Sequence, residues 1–501
     1  MTLNALDEIK RNPVKNPKIG FNKFLFILPI HEKVDSRKKK RESKFAFPAG
    51  VGFLATLLLE AGIEVEILDA HVEQMFDEEV AEALEGKDFD VVGISAFSTQ
   101  YSHVKTISAA VKKKFPAVPI IVGGPLGTYS WDLVLKKLLT VDVAVRGEGE
   151  LTIVDLLENF GDLKSVPGIA WRNESGEVIE NPERELIKNL DTLPLPAYHL
   201  FNMDKYLSQK LLANPRSHGW KNSRIIGFMT ARGCPFKCTF CSRNFPGFRK
   251  MSTARIIRDI ELVRQKYGVD AVAFIDELLV ISKKRMNELC NALEPLGIKW
   301  TAQGRVDTLD KETMRLMKRT GCLAVGFGIE SGSQQMLDNI KKGIRVPDIE
   351  RAVNDAVDVG LEVKIQLMIG NQGETRETVM ETVALFKRIH HPPRRFSVLQ
   401  PLPGSPVYED AMQMGLIEDE ENYLENLEVW MTLKSVLEGI CELSGDEIYR
   451  VKADAEEQMR RNWNSYLWTH PLFTLRWLAR IVRDEVIFRS LHSRRPSVPA
   501  Q

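Results

Sequence analysis

The feature that most constrains this chain is an alternation, run through twice, of short apolar stretches with amphipathic stretches of helical period. In the first series, residues 23–29 (KFLFILP), 63–68, 90–95 (DVVGIS), 118–122 (VPIIV) and 141–145 read as strands. Between them 50–61, 78–84 and 103–115 read as helices, with Leu54, Leu57 and Leu58 on one face of the first. In the second series, 225–230, 271–275, 299–302, 324–329, 363–369 and 396–399 read as strands. Helical patterns at 253–267, 283–293, 310–320, 346–359 and 376–389 separate them. Strands joined through helices of this length make right-handed βαβ crossovers, and those build parallel sheets.

The two series predict an α/β chain in four parts. Residues 20–150 form a flavodoxin-like doubly wound parallel sheet. Residues 151–222 form a connector with a hairpin at 168–182 (GIAWRNESGEVIENP) and a Pro-rich turn at 193–201 (LPLPAYHLF). Residues 223–408 form a partial (β/α)6 TIM-like barrel, six units being too few for an eight-fold one. Residues 409–501 form an α-helical C-terminal region. In both sheets a ligand is expected at the carboxyl ends of the strands.

Composition narrows the partners. Lys and Arg number 68 and so do Asp and Glu, leaving a formal net charge of zero. No global field draws in nucleic acid, so a polyanion binder is not expected. With 44% hydrophobic and 27% charged residues, the chain can bury real cores. Its apolar runs, such as 53–59, fall short of the roughly 20 residues of a membrane-spanning helix. The N-terminus lacks an apolar signal region, so a cytoplasmic location is expected. The basic run at 37–44 (RKKKRESK) reads as a solvated loop.

Six cysteines are too few for a disulfide scaffold. Cys290, Cys322 and Cys441 are scattered and read as small buried hydrophobes. Cys234, Cys238 and Cys241 instead cluster in ARGCPFKCTFC, directly after the first strand of the second series. Three thiolates at Cys-x3-Cys-x2-Cys spacing can hold three irons of a 4Fe–4S cluster and leave the fourth iron open to a substrate. A structural zinc site would want a fourth Cys or His close by, and the nearest histidine is His218 upstream. A thioredoxin-like reading would use one Cys-x2-Cys pair on a different fold.

This motif, its place after a first strand and the partial barrel behind it resemble the radical SAM superfamily. The resemblance implies that Cys234, Cys238 and Cys241 ligate the cluster and that Phe240 shields it. It implies that the open iron chelates S-adenosylmethionine (SAM), which one electron cleaves to methionine and a 5′-deoxyadenosyl radical. Further matches fall at successive strand ends. Phe274-Ile-Asp276-Glu277 resembles the segment that meets the methionyl amine, where a carboxylate pairs with an ammonium. Arg305, in AQGR, would reach the methionyl carboxylate. Gly328-Ile-Glu330-Ser331-Gly332 resembles the ribose-binding element. Ile369-Gly-Asn-Gln-Gly-Glu-Thr375 resembles a G-x-P-G-E-T turn, with Asn371-Gln372 departing from the usual Leu-Pro. Residues 401–406 (PLPGSP) resemble the closing P-x-P-G-T-P segment.

The first sheet is similar to the cobalamin-binding domain found in one branch of that superfamily, through residues 50–71, 91–101, 120–125 and 141–150. The matching loop positions are Ser95, Ser98, Thr99, Gly123, Gly124, Gly147 and Gly149, which the resemblance makes cobalamin contacts. Glycines there let a ligand approach the backbone; turn chemistry alone would explain each loop singly. The D-x-H-x-x-G motif that supplies a cobalt-ligating histidine is absent, and His71 in Asp69-Ala-His71 reads as a polar strand-end residue. An empty sheet kept only for docking is the alternative.

Together the resemblances imply three cofactors: a 4Fe–4S cluster, SAM and cobalamin. The implied chemistry is methylation of an unactivated carbon, with methylcobalamin giving its methyl to a substrate radical and an external donor such as flavodoxin or ferredoxin supplying the electron. An anaerobic oxidative cyclase or a ring-rearranging enzyme would use the same parts, and a non-catalytic sensor would not need the SAM-contact positions. The substrate is a small molecule. The segment 471–495 sets Arg476, Arg480, Arg483, Arg489, Arg494 and Arg495 against Asp484 and Glu485, among Leu, Ile, Phe and Trp. It reads either as a helix packed on the barrel or as an interfacial helix giving peripheral membrane contact, in which case a hydrophobic or lipid substrate follows.

Overall fold

The computed structural model describes residues 18–31, 46–208, 223–427 apart from 244 and 390, 436–475, and 478–479. The basic run at 37–44, residues 209–222 of the connector, and most of 471–495 lie outside the described residues. The chain divides into two compact units. One comprises Met1–Lys205, Thr230–Leu262 and Gln400–Leu437; the other comprises Tyr206–Met229, Val263–Leu399 and Glu438–Gln501.

In the first unit, β1 (Lys23–Leu28), β2 (Glu64–Asp69), β3 (Val91–Ser95), β4 (Ile120–Gly123) and β5 (Val143–Val145) form a parallel sheet. The strand order is β2-β1-β3-β4-β5, the flavodoxin-like order whose switch point lies between β1 and β3. The expected hairpin is present as β6 (Ile169–Arg172) and β7 (Val178–Glu180). It extends this sheet, β6 pairing antiparallel with β5 and β7 with β6. An Asn173 side chain that accepts the Ser175 and Glu177 N–H groups closes its turn.

Alternation within β1 explains the layering. Leu25 and Ile27 join one core cluster with Val92, Ile94, Ile120 and Val122. The helix Tyr101–Lys114 covers that face with Tyr101, Val104, Ile107 and Val111. Each fully buried aliphatic side chain there contributes about 1.5–3 kcal/mol.

The second unit contains β8 (Ile225–Phe228), β11 (Ala271–Phe274), β12 (Lys299–Gly304), β13 (Cys322–Glu330), β14 (Glu362–Ile369) and β15 (Phe396–Val398), with a short ribbon between β8 and β11 in the chain. The ribbon strands, β9 (Ala231–Arg232) and β10 (Arg249–Lys250), belong to the first unit. The remaining six form one all-parallel sheet in the order β15-β14-β13-β12-β11-β8. Strictly sequential order with unjoined ends is the signature of a partial barrel. Trp300 is fully buried in it, its indole N–H donating to the Thr320 carbonyl at 2.9 Å. The helix Gly445–Thr469 packs in this unit through Ile448, Val451, Ala455, Met459 and Trp463. Its Glu456 accepts the Phe396 N–H at 2.9 Å. No described helix is long and apolar enough to cross a membrane.

Candidate functional site

At the strand ends of the first sheet, the switch point is bridged by Gln100. Its side chain accepts the Phe97 N–H at 2.8 Å and donates to the Pro29 and Ile30 carbonyls at 2.7 and 3.2 Å. Ser95 ends β3, and Ser98 and Thr99 begin the tight turn Ser98–Gln100. His31 and His71 meet edge to face at 4.3 Å, the His31 N–H pointing at His71 Nδ1 at 3.3 Å. Burial, with a lesser push from His103, lowers the His31 imidazole to about 4, so it is neutral near pH 7. His71 is buried in the turn Ala70–Glu73 that follows β2.

The glycines of these loops differ in what requires them. Gly124 has φ +77°, and a Cβ there would stand 2.7 Å from the Ala96 carbonyl oxygen, so its own fold demands glycine. Gly123 has extended backbone, and an added Cβ would meet nothing nearer than Val145 at 3.9 Å. The fold leaves a side chain's worth of room there, as close approach of a flat ligand needs. Gly147 and Gly149 lie in the turn from β5 to the helix Glu150–Glu158.

The expected strand at 225–230 stops at Phe228, and β9 begins at Ala231. β9 pairs antiparallel with β10, Arg232 opposite Arg249, so all three clustered cysteines sit on one closed loop, residues 233–248. Gly233, at φ +79°, makes the neck of that loop possible: a Cβ would stand 2.2 Å from the Gly247 carbonyl oxygen. Cys238 is buried, Cys234 and Cys241 half-buried, and the Cys241 N–H donates to the Cys238 carbonyl at 3.3 Å. Phe240 is half-buried between them. No disulfide joins the described cysteines. Among the described residues no three His, Cys, Asp or Glu side chains already converge on one metal-sized point. The fit to a cluster therefore lies in the donor set: three soft thiol donors on one loop, a set that suits iron–sulfur binding.

At the strand ends of the second unit, Asp276 is buried beyond β11 while Glu277 is exposed. Arg285 of the helix Lys283–Leu293 is buried too; burial lowers its guanidinium and the Asp276 charge works against that. Arg305, beyond β12, is held on several sides. It forms a two-pronged pair with Asp307 at 3.0 Å per bond and donates to the Lys342 and Gly343 carbonyls at 2.9 and 3.0 Å. Glu330 ends β13 in a left-handed conformation, φ +61°, where the β13–β14 register slips. Strain of this kind re-aims a side chain and gathers at functional sites. Here it brings Glu330 to the buried Lys342 ammonium at 2.9 Å. Ser331 is buried beside it and accepts the Ser333 N–H at 3.1 Å. Beyond β14, Glu374 accepts the Gly370 and Asn371 N–H groups at 2.5 and 3.1 Å. Burial outweighs those bonds and pushes its carboxyl up to about 7.

Sequence reasoning missed Gln100, Asp307 and Lys342. An Arg-x-Asp spacing was a signal for the second; the other two act on partners distant in the chain.

Known proteins align with both halves. The B12 binding domain family matches residues 44–157 and the Radical SAM superfamily matches residues 228–386. An uncharacterized methyltransferase of Pyrococcus horikoshii is 33% identical over 79% of this chain and 84% of its own length. The cytidylyl-2-hydroxyethylphosphonate methyltransferase of Streptomyces wedmorensis is 28% identical over 84% of this chain and 86% of its own. The anaerobic magnesium-protoporphyrin IX monomethyl ester cyclase of Rubrivivax gelatinosus is 28% identical over 75% and 68%. The radical S-adenosylmethionine methyltransferase TsrM of Kitasatospora setae, solved with tryptophan and a SAM analogue, superposes with a TM-score of 0.61 at 19% identity. That superposition covers 79% of this chain and 77% of that one, a likeness of fold.

Proposed function

The chain belongs to the radical SAM superfamily, in the branch that carries an N-terminal cobalamin-binding domain, and from that premise we propose that it methylates an unactivated carbon of a small molecule. The observation that carries this reading is the presence, in one chain, of a switch-point sheet with open glycine loops, a closed loop of three cysteines, and a partial barrel. When bound, the cluster, SAM and cobalamin supply a 5′-deoxyadenosyl radical and a methyl donor.

The chain's own residues hold and orient these groups. Cys234, Cys238 and Cys241 supply the thiolates, and Phe240 covers them. Asp276 and Glu277 present carboxylates for the methionyl ammonium, with the buried Arg285 interacting electrostatically with Asp276. Arg305, fixed by Asp307, orders the turn that faces the methionyl carboxylate. Glu330 and Ser331 offer acceptors for ribose hydroxyls, with the Lys342 ammonium pairing to Glu330 at 2.9 Å. Ser95, Ser98, Thr99, Gly123, Gly124, Gly147 and Gly149 line the cobalamin face of the first sheet. An external flavodoxin or ferredoxin supplies the electron.

The cyclase relative favours one second reading, an oxidative ring closure with the same cofactors. Comparing the metabolites of a deletion strain with those of its parent decides between them. A substrate that accumulates in the deletion strain and is one CH2 lighter than the lost product supports methylation; a pair differing only in hydrogen or oxygen count supports cyclisation.

The protein acts in the cytoplasm, with its C-terminal segment at a membrane surface. Trp468 is 87% and Leu472 72% exposed, and Leu475 and Leu478 are exposed after them, leading into the arginine-rich sequence at 476–495. Such a segment binds anionic lipid through apolar area plus charge. Salt-dependent sedimentation with anionic vesicles, lost on truncation after residue 470, is the expected result; equal binding by the truncated chain contradicts it.

A further inference from the structure

The loop that follows β5, Arg146-Gly-Glu-Gly-Glu150, reads in sequence as a ligand loop because of its glycines. Its two acids do something else. Glu148 and Glu150 are each about 5% exposed, and both pair with Arg232, which is 2% exposed, at the neck of the cysteine loop. Arg232 Nη1 donates to Glu148 at 2.7 Å and to Glu150 at 3.3 Å, and its Nη2 donates to Glu150 as well. Arg249, the cross-strand partner of Arg232, donates through Nη1 to both Glu148 oxygens at 2.9 Å and to the Ile187 carbonyl at 2.8 Å. The Ile187 N–H returns a bond to Glu148 at 2.7 Å. The Arg232 guanidinium also lies 4.9 Å from the Phe245 ring, in the cysteine loop, and 5.9 Å from Phe53, in the helix Ala49–Glu60 that follows β1.

A second tether holds the far side of the same loop. The Tyr129 hydroxyl, in the helix Gly124–Tyr129 that follows β4, donates to the Arg243 carbonyl, two residues past Cys241. Both tethers therefore run from the strand-end loops of the first sheet to the cysteine loop, all within one compact unit.

Three buried charges and a half-buried fourth are an expensive way to join two loops. Apolar side chains of similar volume would stabilise at least as well, and what a buried ionic group adds is a unique geometry. Burial alone would raise the Glu148 carboxyl, yet hydrogen bonds from Arg249 and Arg232 and the Arg232 charge bring it below the ordinary carboxylate value. Glu148 is thus ionised near neutral pH.

Building on the function proposed above, we propose that Glu148, Glu150, Arg232 and Arg249 are positioning residues: they fix where the Cys234–Cys241 loop stands against the strand ends of the first sheet, and so set the spacing between its cluster and a cobalamin held there. A two-residue ribbon by itself leaves the segment between its strands free to swing. The charge pairs fix the neck; at the far side Tyr129 acts together with Ser242, which donates to the Pro403 carbonyl at 2.8 Å, and Thr239, whose carbonyl accepts the Val407 N–H at 3.0 Å.

The test uses the full-length chain as wild type, Glu150→Gln and Arg232→Lys, with Tyr129→Phe as a milder change at the other tether. Without added cofactor, hydrogen–deuterium exchange should quicken several-fold in 146–150 and 233–248 together, while β11–β14 keep wild-type protection. After anaerobic loading, with both the cluster and cobalt in paramagnetic states, electron paramagnetic resonance reads the magnetic coupling between them. One narrow coupling in wild type, broadened in the variants at unchanged iron and cobalamin content, is the expected result. If a charge variant does not fold, Tyr129→Phe is expected to give the same broadening to a smaller degree. Exchange that rises evenly over the whole chain, or couplings identical to wild type, overturns the proposal. A wild-type chain that takes up no cobalamin contradicts the function proposed above instead, and the exchange pattern then decides the docking of the loop by itself.

Discussion

Cys238 is the buried member of the three clustered thiols, and its backbone carbonyl closes the turn to Cys241. Removing its sulfur deletes one ligand and little packing. Cys238→Ala is expected to lose bound iron and all reductive cleavage of SAM while the metal-free chain loses about 1 kcal/mol or less, a small side chain's worth of burial. Iron analysis and urea unfolding check the two halves of that statement. Glu374 carries a different prediction. Its folded-state carboxyl stands at about 7 against 4.5 in an ordinary setting, so the folded chain holds a proton there that the unfolded chain has released. Its share of stability is complete below pH 4.5, falls as the pH rises through 7, and amounts to roughly 3 kcal/mol over that window. His391 works the other way, since burial lowers its imidazole to about 4 and acid must protonate it. The difference between wild type and Glu374→Gln isolates the carboxyl: the variant's advantage should grow from pH 5 to pH 8. A constant difference across that range contradicts the assignment.

At the scale of the element, the carboxyl end of each parallel strand carries one chemical feature, and the turn that follows shapes it. The slip in register at the end of β13 turns Glu330 towards Lys342. Glu330→Gln leaves that ammonium buried without its counter-charge and should cost about 2–3 kcal/mol in urea unfolding. Gly233→Ala strains the neck of the cysteine loop. It should lower iron content after reconstitution and destabilise by about 1–3 kcal/mol, because a side chain at φ +79° also meets the Gly247 carbonyl. These elements also show what a sequence can and cannot display. The strands were readable because apolar runs such as 363–369 sit between clear helical periods. The order of their ends follows from parallel topology. The ribbon of Ala231–Arg232 with Arg249–Lys250 was not readable, since two-residue strands carry no period. Arg305 was readable as a strand-end cation, but its engagement by Asp307 and by carbonyls of residues 342 and 343 depends on a turn far along the chain. Glu148 and Glu150 were masked by the glycines around them, which drew attention to ligand approach rather than to a buried pair with Arg232.

At the scale of the whole molecule, two parallel sheets of different topology each place a ligand face at their strand ends, one closing on a switch point and one left open as a partial barrel. The zero net charge leaves recognition to those faces rather than to a long-range field. Chain order alone would put the cysteine loop with the barrel strands that flank it, yet it belongs to the unit of the first sheet. All of this depends on a three-cysteine loop that holds an iron–sulfur cluster able to bind and split SAM. The direct measurement is anaerobic reconstitution with iron and sulfide, followed by reduction with SAM present and chromatography for 5′-deoxyadenosine. A full cluster complement and formation of 5′-deoxyadenosine, both lost in Cys238→Ala, is the result predicted here; zinc in the loop, or a complete cluster that leaves SAM intact, would contradict it.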